Sequence, residues 1–365
     1  MRVMISGGGT GGHTSPASAI VQELRKRDAK LYVQWVGKPG AIEERVAKSL
    51  GVTFRGVSAT GWPRKPGPKQ LSAAFKMGVS LLRALQYVRS FQPQVAVGVG
   101  GYVSLPTLLA AQWLGVPTFV HEQNKRLGMA NRFLAKRATH VFLSYPDSVG
   151  DYPRDRATVV GNPVREGFAA PPERDAAKQA LGFRADLPLV LVVGGSQGAQ
   201  SINRAVAGCL KLLSPNSAQV LWMTGRDGAE EAQRAAAEAP VNAVAKTFID
   251  DMVTACAAAD LIISRAGASS TAELAAVGRA SVLVPYPFAT DDHQTANAQA
   301  FVEAGASVLM PDKDCTAESL AQLLQKLLAD APRRAEMEQA ALSLAKPHAA
   351  EVIVDALLAQ VYSGS

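Results

Sequence analysis

At 365 residues the chain exceeds what one hydrophobic core comfortably serves and suits two domains of roughly 150 to 200 residues each. Its 48% hydrophobic and 19% charged residues exclude a disordered chain, and no apolar run approaches the ~20 residues of a bilayer span. The net charge of +7 conceals an asymmetry: residues 1–163 carry 22 Lys and Arg against 8 Asp and Glu, residues 164–365 carry 16 against 23. A basic half suits nucleic acid, an anionic membrane surface or a phosphorylated substrate, and charge alone does not choose among them. Cys209, Cys256 and Cys315 are far apart and lack metal or redox spacing, so three buried thiols are expected. The opening "MRVMIS" runs straight into a strand without the pattern of a secretory signal, and a cytoplasmic protein is expected.

The first strand, "RVMIS", leads into "SGGGTGGHTSP", Ser6 to Pro16, which nearly satisfies two phosphate-binding patterns. A triphosphate loop needs a lysine where His13 stands, because the charge on the β- and γ-phosphates must be permanent. A dinucleotide fold needs an acid at the end of the second strand, yet "LYVQWVG" ends without one and the next is Glu43. Lys38 keeps an NADP-type oxidoreductase open as an alternative. Otherwise the glycines bring backbone close to a ligand, and His13 opens a helix with Pro16 in its first turn. There it serves either as a general base, its charged form disfavoured by the helix dipole, or merely as a cap.

Residues 61–91 follow as a long helix with two apolar stripes. Met77, Leu81, Ala84 and Val88 can cover a sheet, while Leu71, Phe75, Val79 and Leu82 face nearly the opposite way. The second stripe is bordered by Lys76 and Arg83, with Arg64, Lys65 and Lys69 upstream, the composition of a surface that meets anionic lipid. Burial of both stripes inside the protein is the competing expectation. The strands "QVAVGVG", "PTFVHE", "THVFLS" and "ATVVG" complete the first half, and "GNPVREGFAAPPERDAAKQALGF" reads as a linker. The second half restarts with "LPLVLVVGGSQGAQSINRAV", followed by the strands "AQVLWM", "ADLIISRAG", "ASVLVPY" and "ASVLM". Alternating strands and helices of this kind give an α/β protein of two Rossmann-like domains with parallel sheets, expected to hold a substrate in a cleft between them.

Read together, "GGGTGGHTSP", "GVGGYVS", "HEQN", "GNPVR", "GGSQGAQSIN", "FIDDM", "SRAGASSTAE" and "HQTANA" resemble, in order and approximate spacing over nearly the whole chain, the bacterial MurG family of peptidoglycan glycosyltransferases. The resemblance implies a GT-B fold, an acceptor- and membrane-side domain over 1–163, a UDP-GlcNAc-binding domain over 164–345, and a last helix, about 346–365, packed back on the first domain. It implies inverting transfer of N-acetylglucosamine from UDP-GlcNAc to lipid-linked muramyl-pentapeptide (lipid I), giving lipid II, at the cytoplasmic membrane face. No cofactor, metal or nucleic acid is implied.

In this reading His13 is the base, and Gly100, Gly101 and Tyr102 belong to the acceptor loop. The donor is met by Thr10, Gly11, Gly12, Asn124, Arg165, Ser196, Gln197, Ile249, Ala268, Ser269, Ser270, Glu273 and Gln294. Glu273 would accept from the ribose hydroxyls, the backbone of Ile249 would read the uracil edge, and the amides of Ala268, Ser269 and Ser270 would hold the diphosphate. Gln294 has a plainer reading, in a helix start capped by Asp291 or Asp292. "DKD" at 312–314 has the letters of a metal motif but the position of a turn. Leu105-Pro106 departs from the family's usual Gly-Pro, which implies a less free second loop. Alternatives left open are another GT-B lipid glycosyltransferase, a UDP-GlcNAc 2-epimerase and a non-catalytic sugar-nucleotide module.

Overall fold

A computed structural model describes residues 1–9, 11–59, 61, 67–195, 198–289 and 292–363. The chain forms two compact units, Met1–Glu166 with Lys346–Ser365, and Gly167–Ala345.

In the first unit the elements run β1 (Arg2–Ser6), α1 (Gly11–Arg27), β2 (Tyr32–Gly37), α2 (Ile42–Ser49), β3 (Thr53–Gly56), α3 (Pro68–Phe91), β4 (Val95–Gly98), α4 (Ser104–Trp113), β5 (Thr118–Glu122), α5 (Met129–Ala135), β6 (His140–Leu143) and β7 (Ala157–Val159). All pairings are parallel, in the order β3-β2-β1-β4-β5-β6-β7. Side chains alternate across the strands, so Val3 and Ile5 of β1 join one core with Ile20 and Leu24 of α1 while Met4 joins another with Ala84 and Val88 of α3. The chain's last helix (Ala349–Ser363) fills the first core with Ile353, Val354 and Leu357, all fully buried.

The second unit begins with α6 (Arg174–Ala180) and continues β8 (Leu189–Val193), α7 (Gln200–Leu210), β9 (Gln219–Met223), α8 (Ala229–Ala237), β10 (Asn242–Lys246), α9 (Met252–Ala258), β11 (Leu261–Ser264), α10 (Ala268–Val277), β12 (Ser281–Leu283), α11 (His293–Glu303), β13 (Ser307–Leu309), α12 (Ala317–Ala329) and α13 (Ala331–Ser343); the last helix is α14. Its sheet has the order β10-β9-β8-β11-β12-β13. Each sheet therefore reverses direction once, between β1 and β4 and between β8 and β11, and such reversals open a crevice at the carboxyl ends of the strands.

Three sequence expectations change. The segment read as a linker contains α6, because Arg174 and Lys178, one turn apart, both reach Asp260 at 3.1 and 2.8 Å and Arg174 also meets Glu338 at 2.7 Å. Pro16 lies in the second turn of α1, which starts two residues before His13. Leu105 sits inside α4 and not in the loop, whose left-handed turn is made by Gly100 and Gly101 (φ 90° and 81°). The three cysteines are buried free thiols, with burial pushing Cys209 up to about 12 and Cys315 up to about 11.

Candidate active site

In the first unit the loops after β1 and β4 leave the reversal point and touch. A Cβ on Gly101 would fall 2.3 Å from the Gly8 carbonyl oxygen, so only glycine permits the approach. A Cβ on Gly100 would fall 2.7 Å from Cδ2 and 3.0 Å from Nε2 of His13, which places the imidazole directly over the second loop. Tyr102 is 38% exposed beside them.

The first loop is closed from below by a residue that sequence reasoning noted only as a late acid. Glu43 is fully buried, and its Oε1 accepts from the backbone N–H of Gly9 (3.1 Å) and of Lys38 (3.0 Å). A Cβ on Gly8 would lie 2.3 Å from the Glu43 carboxyl. A side chain of the protein thus takes one amide of the loop, that of Gly9, which a dinucleotide fold offers to a pyrophosphate, and this weighs against the NADP reading.

The carboxyl end of β5 carries "HEQN" into the same neighbourhood. Glu122 is buried and its carboxyl is pushed up by burial, against the pull of hydrogen bonds from Asn124 and Gly128 N–H and from the Asn131 and Asn124 side chains. Asn124 is thereby fixed by its own neighbour through both backbone and side chain. His121 donates from Nε2 to the Gly161 carbonyl at 3.0 Å, and burial, with a smaller contribution from His13, lowers its pKa to about 4. Of these four residues only Asn124 was given a role from sequence. The signal for the others was the tetrapeptide itself, a run of polar residues ending a buried strand.

In the second unit the described candidates follow three strands, β10, β11 and β12. Ser264 and Gly267 lead from β11 into α10, so the amides of Ala268, Ser269 and Ser270 are among the helix's first N–H groups, which lack intrahelical acceptors. Glu273 is half-buried on the same helix, within a turn of Ser269 and Ser270. Ile249 stands on the loop after β10, just before α9, whose N-cap Asp251 accepts from Thr254 N–H at 3.0 Å. Gln294, on the first turn of α11, accepts from Tyr286 N–H at 2.9 Å and so ties that helix to the end of β12. Asp292 is the N-cap but makes no side-chain bond to the helix backbone; it takes the Thr295 hydroxyl instead. Arg165 is half-buried in the first unit. Thr10, Ser196, Gln197, Arg64, Lys65, Asp291 and the side chain of Lys69 lie outside the described residues.

Arg265 was also missed, though it stands inside the quoted "SRAG". Its Nη1 donates to the carbonyls of Val284 and Pro285, both 3.1 Å, and to Asp312, while Nη2 donates to Ser201 Oγ at 3.0 Å. It clamps the exits of β11 and β12 to the first turn of α7, behind the third glycine loop. "DKD" forms a short 3-10 turn, Asp312–Asp314, whose first carboxylate serves this clamp.

On α3 the first stripe packs against the sheet, whereas Leu71, Phe75 and Leu82 are exposed and Val79 half-buried, which removes the expectation that both stripes are internal. Lys76 and Arg83 are exposed beside them. A shallow apolar groove of about 150 Å³, lined by Met77, Leu81, Leu105, Pro106, Leu109 and Phe133, continues the patch onto α4 and α5. No described helix is long and apolar enough to cross a membrane.

Known proteins share this arrangement. Residues 3–143 match the glycosyltransferase family 28 N-terminal domain and residues 189–353 the family 28 C-terminal domain. The chain is 38% identical over 363 residues to the UDP-N-acetylglucosamine--N-acetylmuramyl-(pentapeptide) pyrophosphoryl-undecaprenol N-acetylglucosamine transferase of Syntrophus aciditrophicus, covering 99% of each. It is 42% identical over 362 residues to the enzyme of that name from Xanthomonas campestris pv. campestris, covering 99% of this chain and 82% of that one. The crystal structure of Acinetobacter baumannii MurG superposes with a TM-score of 0.76 at 32% identity, over 97% of this chain and 98% of that one. UDP-GlcNAc 2-epimerase of Neisseria meningitidis, at 15% identity and a TM-score of 0.68 over 98% and 100%, shares the fold. The chain belongs to glycosyltransferase family 28 and, within it, to the MurG family of N-acetylglucosamine transferases.

Proposed function

We propose that the chain transfers N-acetylglucosamine from UDP-GlcNAc to the 4-hydroxyl of lipid-linked muramyl-pentapeptide, with inversion and without a metal. The observation that carries this reading is the turn from β11 into α10, where the helix's first amides stand within a turn of Glu273. A helix N-terminus is suited to a diphosphate, and a carboxylate beside it to the ribose hydroxyls. Asn124, Arg165, Ile249 and Gln294 supply further donor contacts, as do Gly11 and Gly12. Gly100, Gly101 and Tyr102 face the acceptor.

The step is a single displacement. The acceptor oxygen bonds to the anomeric carbon as the bond to UDP breaks, UDP leaves with the electron pair, and the hydroxyl proton passes to His13. Helix amides stabilise the charge that develops on the departing diphosphate. The exposed stripe of α3, with Lys76 and Arg83, rests on the anionic cytoplasmic face of the membrane and brings the first unit to its lipid-borne acceptor.

The test is UDP release from UDP-GlcNAc with a lipid I analogue, run with and without EDTA and with mass analysis of the lipid product. A disaccharide lipid formed at an unchanged rate in EDTA is expected. Conversion of UDP-GlcNAc to its 2-epimer without acceptor, or loss of turnover in EDTA, would overturn the reading.

A further inference from the structure

Gln123 is 2% exposed, and its amide can be oriented by chemistry alone. The Gly161 carbonyl only accepts, so the 3.0 Å contact requires hydrogen on Nε2 of His121. His121 stays neutral in its buried site, hence its Nδ1 is an acceptor. Gln123 Nε2 lies 3.2 Å from that nitrogen and 2.5 Å from the Val99 carbonyl oxygen, so both groups call for the NH₂ end of the amide. Oε1 must therefore point the other way, towards Gly100.

That oxygen is buried and has no hydrogen-bond partner. The position a Cβ would take on Gly100 is 3.3 Å from Gln123 Oε1 and 3.0 Å from His13 Nε2, so both atoms border one point. The bond to His13 is not made in this structure; a buried acceptor left unpaired is costly, and its retention calls for a donor that comes within reach during function. The two buried carboxyl groups of these loops take other donors: Glu43 accepts through Oε1 from Gly9 and Lys38, its buried Oε2 making no hydrogen bond, and Glu122 accepts from Asn124, Gly128 and Asn131. His121, the other titratable group facing His13, is neutral.

We propose that Gln123 is a positioning residue for the transfer, its Oε1 accepting a hydrogen bond from Nε2–H of His13. Resting on His13 as the base, this assigns the basic nitrogen. Nε2 keeps its hydrogen towards Gln123, the acceptor's hydroxyl proton goes to Nδ1, and the imidazolium so formed is held by a neutral amide rather than by a carboxylate. The chain of dependence runs from the Gly161 carbonyl through the His121 tautomer and the Gln123 amide to His13.

The experiment follows the C–H signals of ¹³C-labelled histidine by NMR against pH, with His13→Ala identifying the His13 signal, alongside kcat and KM against pH. A group that hydrogen-bonds the charged form raises its pKa, so Gln123→Met should lower the His13 titration and Gln123→Glu should raise it, each by about one unit. Gln123→Met should also lower kcat roughly 10- to 100-fold with KM for UDP-GlcNAc within about twofold. A His13 titration identical in both variants, whatever happens to kcat or Tm, overturns the proposal and leaves Gln123 a packing residue. If His13→Ala retains activity, the base reading falls, and the NMR titration still decides whether Gln123 contacts His13.

Discussion

Arg265 offers the most direct test of how the donor loops are held. Lysine at this position keeps the charge but replaces five guanidinium donors in a fixed fork by one ammonium on a flexible stem. The ammonium can satisfy Asp312, leaving the Val284 and Pro285 carbonyls and Ser201 Oγ without their present donor. The Arg265 side chain is 15% exposed, so water replaces these bonds poorly. Each buried acceptor left unpaired costs about 1–3 kcal/mol; with relaxation of the two carbonyls, a loss of about 2–4 kcal/mol is expected for Arg265→Lys. Because the clamp joins the exits of β11 and β12 to α7, much of that loss should appear as weaker UDP binding by calorimetry, roughly 10- to 100-fold, with a lower Tm. Asp312→Asn, which keeps the shape and removes the charge, should give a smaller effect in the same direction. An unchanged UDP affinity in Arg265→Lys, together with a lowered Tm, would show that the clamp supports only the fold.

Four further outcomes are expected. Glu273→Ala should weaken UDP-GlcNAc binding by about 1.5–3 kcal/mol, the range for hydrogen bonds to a charged group, and calorimetry with an unchanged affinity would remove it from the site. His13→Ala should lower kcat roughly 10²- to 10⁴-fold with near-normal donor binding, whereas a lower Tm with near-normal kcat would leave it a structural residue of the first turn of α1. His121 titrates near 4 when folded and near 6.5 when unfolded, so the unfolded state binds more protons between these values; its contribution is complete above about pH 6.5 and falls by about 3 kcal/mol towards pH 4. Thermal melts should show that acid loss in the wild type and a flatter profile in His121→Gln. Phe75→Ser with Leu82→Ser should abolish binding to anionic vesicles and leave Tm and UDP-GlcNAc affinity near wild type, since both side chains are already exposed; early melting would place them in a packed interface instead.

The sequence made the inner strands legible because parallel strands covered on both faces are continuous apolar runs, as in "VLVV" of β8 and "LIIS" of β11. β3 and β10 escaped because they are edge strands: "TFRG" and "NAVAK" are partly exposed and carry neither a long apolar run nor a clear alternation. Helix α6 was hidden by the prolines before it, and what fixes it, Asp260, lies 86 residues from Arg174. The same distance effect governs the site. His13 and the α10 turn were readable as local motifs, but the bond of Glu43 beneath the first loop, that of Gln123 to Val99 and that of Asp312 to Arg265 join residues distant in sequence.

Those contacts also explain why two units of one topology differ in their use of the first βα turn. A glycine-rich loop entering a helix presents N–H groups suited to an anion, and both units begin with one. In the first unit that demand is met internally: Glu43 accepts from Gly9, and the Gly8 backbone approaches the carboxyl too closely for any side chain. With the Gly9 amide already given to Glu43, it is not offered to a second acceptor, and the loop is left to carry His13 over Gly100. In the second unit Gly198, after β8, lies against the loop after β9, where a Cβ would fall 2.7 Å from the Thr224 oxygen, and Asn203 of α7 donates to the Thr224 and Asp227 carbonyls of that same loop. Across the reversal point, α10 starts at Ala268 with glycine, Gly267, as its N-cap. On the proposed reading the diphosphate belongs there, and removal of the internal acid gives the converse test: Glu43→Gln should misplace the first loop and lower kcat, without creating nucleotide affinity that survives Glu273→Ala.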